Sequence, residues 1–478
     1  MTKYLSSRLL ITKSALLSLL TLAFLVACSP AQDPDPAQAT KAPPALSAEE
    51  ARSIAKDAYT FYYPLVLYYR TMYLQAIDPL SDEPGAGFGN WLHLGTSTPQ
   101  DTDIVAPNND TPYSYAWVDT RAEPWVLTLP RIEENRFYTS QWNDLWGFVL
   151  ENTGSVFDGN DGVSILLASP NWDGDLPEGV KRVVRGDTDF LGSLTRTQVL
   201  DPKDLPNVER IQSEYKLQPL SDYLGEPAPV AAPAIEWKPW QEGDEMTEEF
   251  WSYVNFLLPL TTPNVEDKSV QDRAARVGIA AGQPWDPSMF DDDVRGAIAA
   301  GMEDAMAELS DGANNITDPS LFFRTREDLN KDYFNRALGT LVGIFGNWES
   351  ISVYFSVMSD AQDEFLDGSK HSYTVRFSED QIPPVKSFWS FTMYKLPQRW
   401  LVDNPIDRYS IGSSTPGVQT SDDGSITLYF GATSPGEDQQ SNWLPSPEGQ
   451  FWLVLRTYGP GQEILEKQWK IPPINQHD

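Results

Sequence analysis

Carboxylates are the groups of this 478-residue chain best placed for acid–base chemistry. Asp110 lies in the turn Pro107-Asn108-Asn109-Asp110-Thr111-Pro112, Asp119 ends the segment after it, Asp144 closes Arg136–Asp144, and Asp403 and Asp407 flank Asn404-Pro405. Two carboxylates can divide acid and base duties when burial raises the pKa of one, as in glycoside hydrolysis, where their separation sets the stereochemical outcome. The structural alternatives are an Asx-turn cap for Asp110 and salt bridges from Asp403 and Asp407 to Arg399 or Arg408. Arg408-Tyr409 and Arg456-Thr457-Tyr458 each set a guanidinium near a phenol at a strand end, an arrangement in which Arg clamps a substrate carboxylate and Tyr donates a proton. For Arg456 the plainer reading is an ion pair with Asp407 or Glu437. Asn442-Trp443 joins an amide to a ring before Pro445, which suits stacking on a sugar or anchoring a turn.

Other chemistries find less material. His93, His371 and His477 are the histidines, and none has the HxxxH or HExxH spacing of a zinc site, so a triad or a metal-dependent oxidoreductase would rest on isolated rings. Asn108, Asn109 and Asp110 could offer oxygens to Ca²⁺, without the alternation of an EF-hand loop; no other cofactor is expected. P-loop, dinucleotide and GxSxG motifs are absent from the sequence. A net charge of −33 repels nucleic acid and anionic lipid.

The elements that must position these groups fall into blocks. Residues 1–27 read as an export signal, with Lys3, Arg8 and Lys13 before an apolar run too short for a comfortable span. The run ends in Leu25-Val26-Ala27-Cys28, a lipobox, so Cys28, the one cysteine, is the expected lipidation site. Residues 28–46 form a Pro-rich tether. The implied location is the cell envelope, lipid-anchored, with Ser29 favouring the bacterial outer membrane.

Ser47-Ala48-Glu49-Glu50 is a capping box opening a helix that Pro64 should bend or end, and Arg70 is either a buried ion-pair partner or a snorkelling surface residue. Segments Tyr113–Val118, Pro124–Leu129, Arg136–Asp144, Trp146–Leu150, Val163–Ala168 and Lys181–Arg185 read as strands, and Ile211–Leu224 as a helical or loop closure. Four prolines mark 227–239 as a linker. Met246–Leu258, Asp291–Leu309 and Leu321–Phe345 read as helices, with Val294, Ile298, Met302 and Met306 on one stripe. Strands resume from Tyr373.

Asn109-Asp110-Thr111, Tyr113, Ala116-Trp117-Val118-Asp119, Phe137-Tyr138 and Gln141 resemble the domain-of-unknown-function family numbered 1254. Phe388-Trp389-Ser390, Met393-Tyr394, Asn404-Pro405, Arg408-Tyr409, Asp423-Gly424-Ser425, Asn442-Trp443-Leu444-Pro445 and Leu455-Arg456 resemble family 1214. The resemblance implies a mainly β architecture of two jelly-roll-like β-sandwiches side by side, with helices at the N-terminus and between them. The divisions expected are 47–226, 227–372 and 373–478. Members usually carry Thr-Asn after the position of Asp144; Leu145-Trp146-Gly147 stands here, which would alter substrate choice if it lined the cavity.

The leading expectation is a carboxylate-dependent hydrolase or lyase acting on a carbohydrate-like or other polar small molecule. Asp110, Asp144 and Tyr409 would be its catalytic groups, and Asn108, Asn109, Thr111, Tyr113, Trp117, Gln141, Arg408, Asn442 and Trp443 its binding groups. The rivals are a non-catalytic module that binds a small molecule or glycan, or self-associates as jelly rolls often do, and the oxidoreductase. The membrane would be met through the lipid anchor alone.

Overall fold

The computed structural model describes residues 46–83, 85–102, 105–316 and 318–477. The signal segment, the tether up to Ala45 and Cys28 lie outside the described residues. The body from Leu46 onward is one compact unit. It holds an N-terminal helix, a central helical segment and two separate β-rich regions, so it is mixed rather than mainly β. Among the described residues no sheet closes into a barrel and no helix is long and apolar enough to cross a membrane.

Ser47 caps helix α1 (Ala48–Met72) by accepting the Glu50 N–H at 3.2 Å, as the capping box predicts. The helix continues through Pro64, so of the expected bend or end the end does not occur. From Phe61 to Met72 the helix is buried on nearly every side, and that packing outweighs the lost backbone hydrogen bond. Arg70 pairs with Glu83 at 2.9 Å while staying partly exposed, so it is an ion-pair partner but not the buried one expected.

The first β region contains β1 (Leu92–His93), β2 (Tyr113–Asp119), β3 (Trp125–Leu129), β4 (Tyr138–Asp144), β5 (Val149–Gly154), β6 (Val163–Ala168), β7 (Val183–Arg185), β8 (Phe190–Thr197) and β9 (Lys216–Pro219). One sheet has the order β1-β2-β8-β4-β5 and the other β7-β6-β3-β9. Between them lie Ala116, Val118, Trp142, Leu191, Leu127 and Ile165. Strand β8, central in its sheet, was not foreseen, because FLGSLTRT has little apolar alternation. Its Ser193 and Thr195 face inward and bond to each other and to Ser140. Strand β9 likewise forms inside the expected helical closure, and Trp146 lies in the turn before β5.

Helices α2 (Leu205–Ser213) and α3 (Leu220–Leu224) flank β9. The central segment supplies α4 (Glu249–Leu257), α5 (Lys268–Ala274), α6 (Asp292–Asn314), α7 (Arg326–Leu329) and α8 (Tyr333–Val342). The last two replace the single expected helix, with Asp332 capping α8. These helices wrap α1 rather than standing apart as an insertion, and their shared core reaches Trp117, Phe190 and Leu194 on the outer face of β2 and β8. Gly301 marks the closest approach of α6 to α1, since a Cβ there would lie 2.4 Å from the Arg52 carbonyl oxygen. The proline-rich linker is tied down too, with the Lys238 carbonyl accepting from Tyr69 at 2.6 Å.

The second β region contains β10 (Ser352–Val357), β11 (Ser372–Phe377), β12 (Val385–Lys395), β13 (Trp400–Leu401), β14 (Ser410–Gly412), β15 (Ile426–Gly431), β16 (Trp443–Pro445), β17 (Phe451–Pro460) and β18 (Asn475–His477). Its sheets run β10-β17-β12-β13 and β16-β15-β11-β18, with Trp389, Phe391, Met393, Leu453, Leu455 and Leu428 between them. Strand β10 pairs with β17, so this region begins at Ser352, inside the stretch expected to be helical.

Candidate functional site

Strands have a period of two, so whatever β12 and β17 keep out of their own core they show on the opposite face. On that face Phe388, Ser390, Thr392 and Tyr394 of β12 stand opposite Tyr458, Arg456, Val454 and Trp452 of β17, and Ser352 and Tyr354 of β10 extend the rows. Read as sequence, such alternation describes a solvated sheet face. Here the face is covered, because the loop Ala106–Thr111 of the first β region lies on it. Tyr394 donates to the Pro107 carbonyl at 2.7 Å, and the Ala106 N–H donates to the Arg399 carbonyl at 2.9 Å. Phe388 and Tyr458 stack at 4.1 Å, and Phe137 of the first region packs against both.

Asp110 sits at this seam, buried. Its Oδ2 accepts from Ser390 Oγ in a short contact and from Tyr458 at 3.4 Å. Asn108 shapes the turn by accepting the Asp110 N–H at 2.9 Å and donating to Thr111 Oγ1 at 2.9 Å and to the Tyr458 hydroxyl at 3.1 Å. Arg456 donates to Thr392 at 2.6 Å and Tyr394 at 2.7 Å and lies 5.5 Å from the Tyr354 ring centre. Burial opposes its charge, but Tyr394, Tyr458 and Asp110 outweigh burial and raise its pKa. Burial and then Asp110 hold the Tyr458 phenol well above its ordinary value. Arg456 is therefore the centre of a buried network, and the expected pairing with Asp407 or Glu437 does not form.

The outer face of the first sheet is divided. Its β2 side and Phe190 and Leu194 lie under the helices, while Thr139, Gln141, Asn152 and Arg196 turn toward the segment Gly343–Ser352. Thr139 pairs with Arg196, and Gln141 pairs with Asn152, so the four form one block. Arg196 donates to the Phe345 carbonyl at 2.7 Å and Gln141 to the Gly346 carbonyl at 2.9 Å. Phe345 holds a left-handed φ of 61°, kept by its packing on Tyr68, Tyr115 and Trp117. In this block Arg196 Nε and Nη1, Gln141 Oε1, Thr139 Oγ1 and both amide atoms of Asn152 are buried without partners among the described residues. The same holds for Asn347 Oδ1 and Ser352 Oγ on the facing segment and for Asn109 Oδ1 in its turn. Buried polar groups are nearly always hydrogen-bonded, so such a concentration marks a place where molecules outside the chain complete the network. Asn347, Ser352 and Tyr354 also line an open cleft of about 400 Å³ shared with Phe323, Phe355 and Trp469, and Asn347 donates to the Tyr354 hydroxyl at 2.5 Å. The cleft thus opens on Gly346, whose carbonyl accepts from Gln141, on the segment that covers the polar block.

The structure brings together Asn108, Asn109, Asp110, Thr111, Tyr113 and Gln141 of the expected site. Tyr113 lies under the Arg196 guanidinium at 5.5 Å. Trp117, which donates to Gln75 at 2.9 Å, belongs to the helical core. Asp144 stands at the far end of β4, roughly 20 Å along the strand from the Asp110 end. It accepts the Phe148 and Asp187 N–H groups at 3.2 and 3.1 Å. Burial and the neighbouring Asp187 push its pKa up to about 6. The anticipated pair of carboxylates is therefore not a pair. Leu145 and Trp146 are buried in the helical core rather than lining the seam.

Arg408 gives Nη1 to the carbonyls of Gln440, Ser441 and Trp443, and neither it nor Arg399 pairs with Asp403 or Asp407. Tyr409 donates to Asp407 at 3.2 Å, and burial and that carboxylate raise its pKa to about 12. Asn442 joins the Gln419 and Thr427 backbone, and Trp443 donates to the Gly431 carbonyl at 2.9 Å, so both anchor turns. Of the oxygens considered for Ca²⁺, Asn108 Oδ1 and Asp110 Oδ2 already accept hydrogen bonds, whereas Asn109 Oδ1 has no partner among the described residues. Among the described residues no group of three or more His, Cys, Asp or Glu side chains could hold a metal ion. His93 contacts Ser114 Oγ at 2.8 Å, and burial lowers its pKa.

No curated protein matches the chain. Its fold is similar to the crystal structure of the VPA0106 protein from Vibrio parahaemolyticus, with a TM-score of 0.75, 25% identity, and coverage of 90% of this chain and 100% of that one. An uncharacterized protein from Burkholderia cenocepacia aligns over 90% of this chain and 95% of its own at a TM-score of 0.40 and 12% identity. Residues 88–219 match a family model described as a protein of unknown function, DUF1254, and residues 351–462 match another, DUF1214. The seam is thus built where the matched segments meet, and the chain carries a DUF1254 domain followed by a DUF1214 domain.

Proposed function

We propose that the protein binds a small polar molecule at the seam between its two β regions, under the segment Gly343–Ser352. The observation that carries this reading is the cluster of unpartnered buried polar atoms on Arg196, Gln141, Asn152, Asn347 and Ser352. A sheet face meant only for packing would present apolar groups there, as the β2 side of the same sheet does. In this reading the jelly-roll-like sandwiches are walls, and the rows of β12 and β17 with the Asn108–Thr111 turn set the shape of the site.

A hydrolase or lyase acting on such a molecule is the second reading, favoured by Asp110 lying buried within reach of Ser390 and Tyr458. It would use one carboxylate rather than a divided pair, since Asp144 belongs to another part of the molecule. The exported lipoprotein anchored through Cys28 is the setting we assign to either activity.

Small molecules extracted from the purified full chain after exposure to a cell extract, identified by mass spectrometry, test the binding reading. We expect a polar compound enriched on the wild type and lost from a Gln141→Leu, Asn347→Leu double variant of unchanged melting temperature. Enrichment of nothing by the wild type, or equal retention by the variant, would refute it.

A further inference from the structure

We infer that the molecule bound at the seam is a hydroxylated carboxylic acid whose carboxylate is taken by Arg196. This rests on the binding reading above and adds the chemical class. Arg196 is 4% exposed. Its Nη2 serves the Phe345 carbonyl and its face rests on Tyr113, which leaves Nε and Nη1 pointing at no acceptor among the described residues. A buried guanidinium without a counter-ion is among the costliest groups a protein can keep, and its planar fork of donors matches a carboxylate.

The local charge balance points the same way. Asp110 acts on Arg456, whereas Arg196 has no carboxylate partner among the described residues, within a chain whose net charge is −33. One surplus positive charge suits a monoanion. Gln141 Oε1 on the same sheet face and Asn347 Oδ1 on the covering segment are acceptors without donors, so they call for hydroxyl groups on the ligand and disfavour a dianionic phosphate. Arg336 is the other buried arginine with two unpartnered nitrogens, and it differs in the decisive respect. Asp267 and Asp144 favour its charge against burial and Arg326, and the rings of Phe61, Trp146, Phe148 and Tyr333 enclose it, whereas Arg196 has no such carboxylate beside it.

The test is calorimetric titration of the purified full chain with galacturonate, gluconate and lactate, each beside its neutral counterpart galactose, sorbitol or lactamide, and with inorganic phosphate. At least one acid should bind tenfold or more tightly than its counterpart. Arg196→Gln should abolish that preference, and Arg196→Lys should keep part of it. Equal affinity for acid and counterpart, tighter binding of phosphate, or an acid preference unchanged in Arg196→Gln would overturn the inference. Neutral binding that disappears in Gln141→Leu would overturn it while leaving the binding reading intact, and binding by none of the compounds would count against both. A ligand-free measurement is independent of the panel. Arg196→Met should melt no lower than the wild type, because it removes an uncompensated charge, and a clearly lower melting temperature would mark Arg196 as structural and overturn its assignment.

Discussion

Two buried charged centres lie at opposite ends of the same sheet, and their surroundings have been built by different rules. At the end of β4, Asp144 accepts two backbone N–H groups, Asp267 receives Arg326 at 2.8 Å and Tyr333 at 2.9 Å, Arg326 lies against Asp187, and Arg336 is boxed by aromatic rings. Each carboxylate there has a partner inside one helix-covered core. At the seam, Asp110 and Arg456 are also satisfied, but the adjoining Arg196 block is not, and the segment that covers it lines an open cleft. The lesson is that burial of charge alone does not identify a site. Both centres keep buried arginine nitrogens without partners, but only at the second do amide oxygens without donors, those of Gln141, Asn152 and Asn347, gather with them.

The comparison breaks if the seam proves dispensable to folding. Arg456→Ala should cost about 3–5 kcal/mol in denaturant unfolding, because it strips Thr392 and Tyr394 of their donor and leaves Asp110 buried without a nearby cation. A loss below 1 kcal/mol would mean that the two β regions are held together elsewhere.

The helix-covered centre can be sharpened by pH. The Asp144 carboxyl is held at about 6, against an ordinary value of 3.8, so the folded protein keeps this proton where the unfolded chain has lost it. Its contribution to stability is full below about pH 4 and is lost as pH rises through about 6, by up to about 3 kcal/mol. Asp144→Asn should therefore improve relative to the wild type as pH rises from 4 to 8. A stability difference that stays constant over that range would contradict the assignment. The smallest effect is expected from Ser390→Ala, about 1–2 kcal/mol from the loss of one hydrogen bond to a buried carboxylate, read as a shift in denaturant midpoint. Equality with the wild type would show that Asp110 is held by Tyr458 and the turn alone.

Much of the fold was legible in the sequence because local physics wrote it there. The Ser47 capping box, the Val294–Met302 stripe and the alternation of Tyr113–Val118 need no knowledge of partners. The misreadings have one cause. Pro64 was expected to bend or end a helix that packing around Pro64 carries onward, and β8 was passed over because its inward residues are hydroxyls satisfied by a neighbouring strand. Arg196 was lost with that strand.

The site was half legible. The turn from Asn108 to Thr111 was singled out because such polar density in a turn is chemically suggestive, and it does lie at the seam. Ser390, Thr392, Arg456 and Tyr458 carried a signal as well, since they repeat at every second position on two strands. That pattern ordinarily means exposure to water. By itself the sequence determined which residues each strand presents on which face, because side-chain alternation follows from backbone geometry. What covers each face was decided only by the tertiary structure. One polar row became a buried seam when a loop more than 270 residues distant closed over it, and two aspartates of similar promise were sent to opposite ends of a sheet. Long-range contacts of that kind depend on the joint packing of all the layers, and no local spacing encodes them.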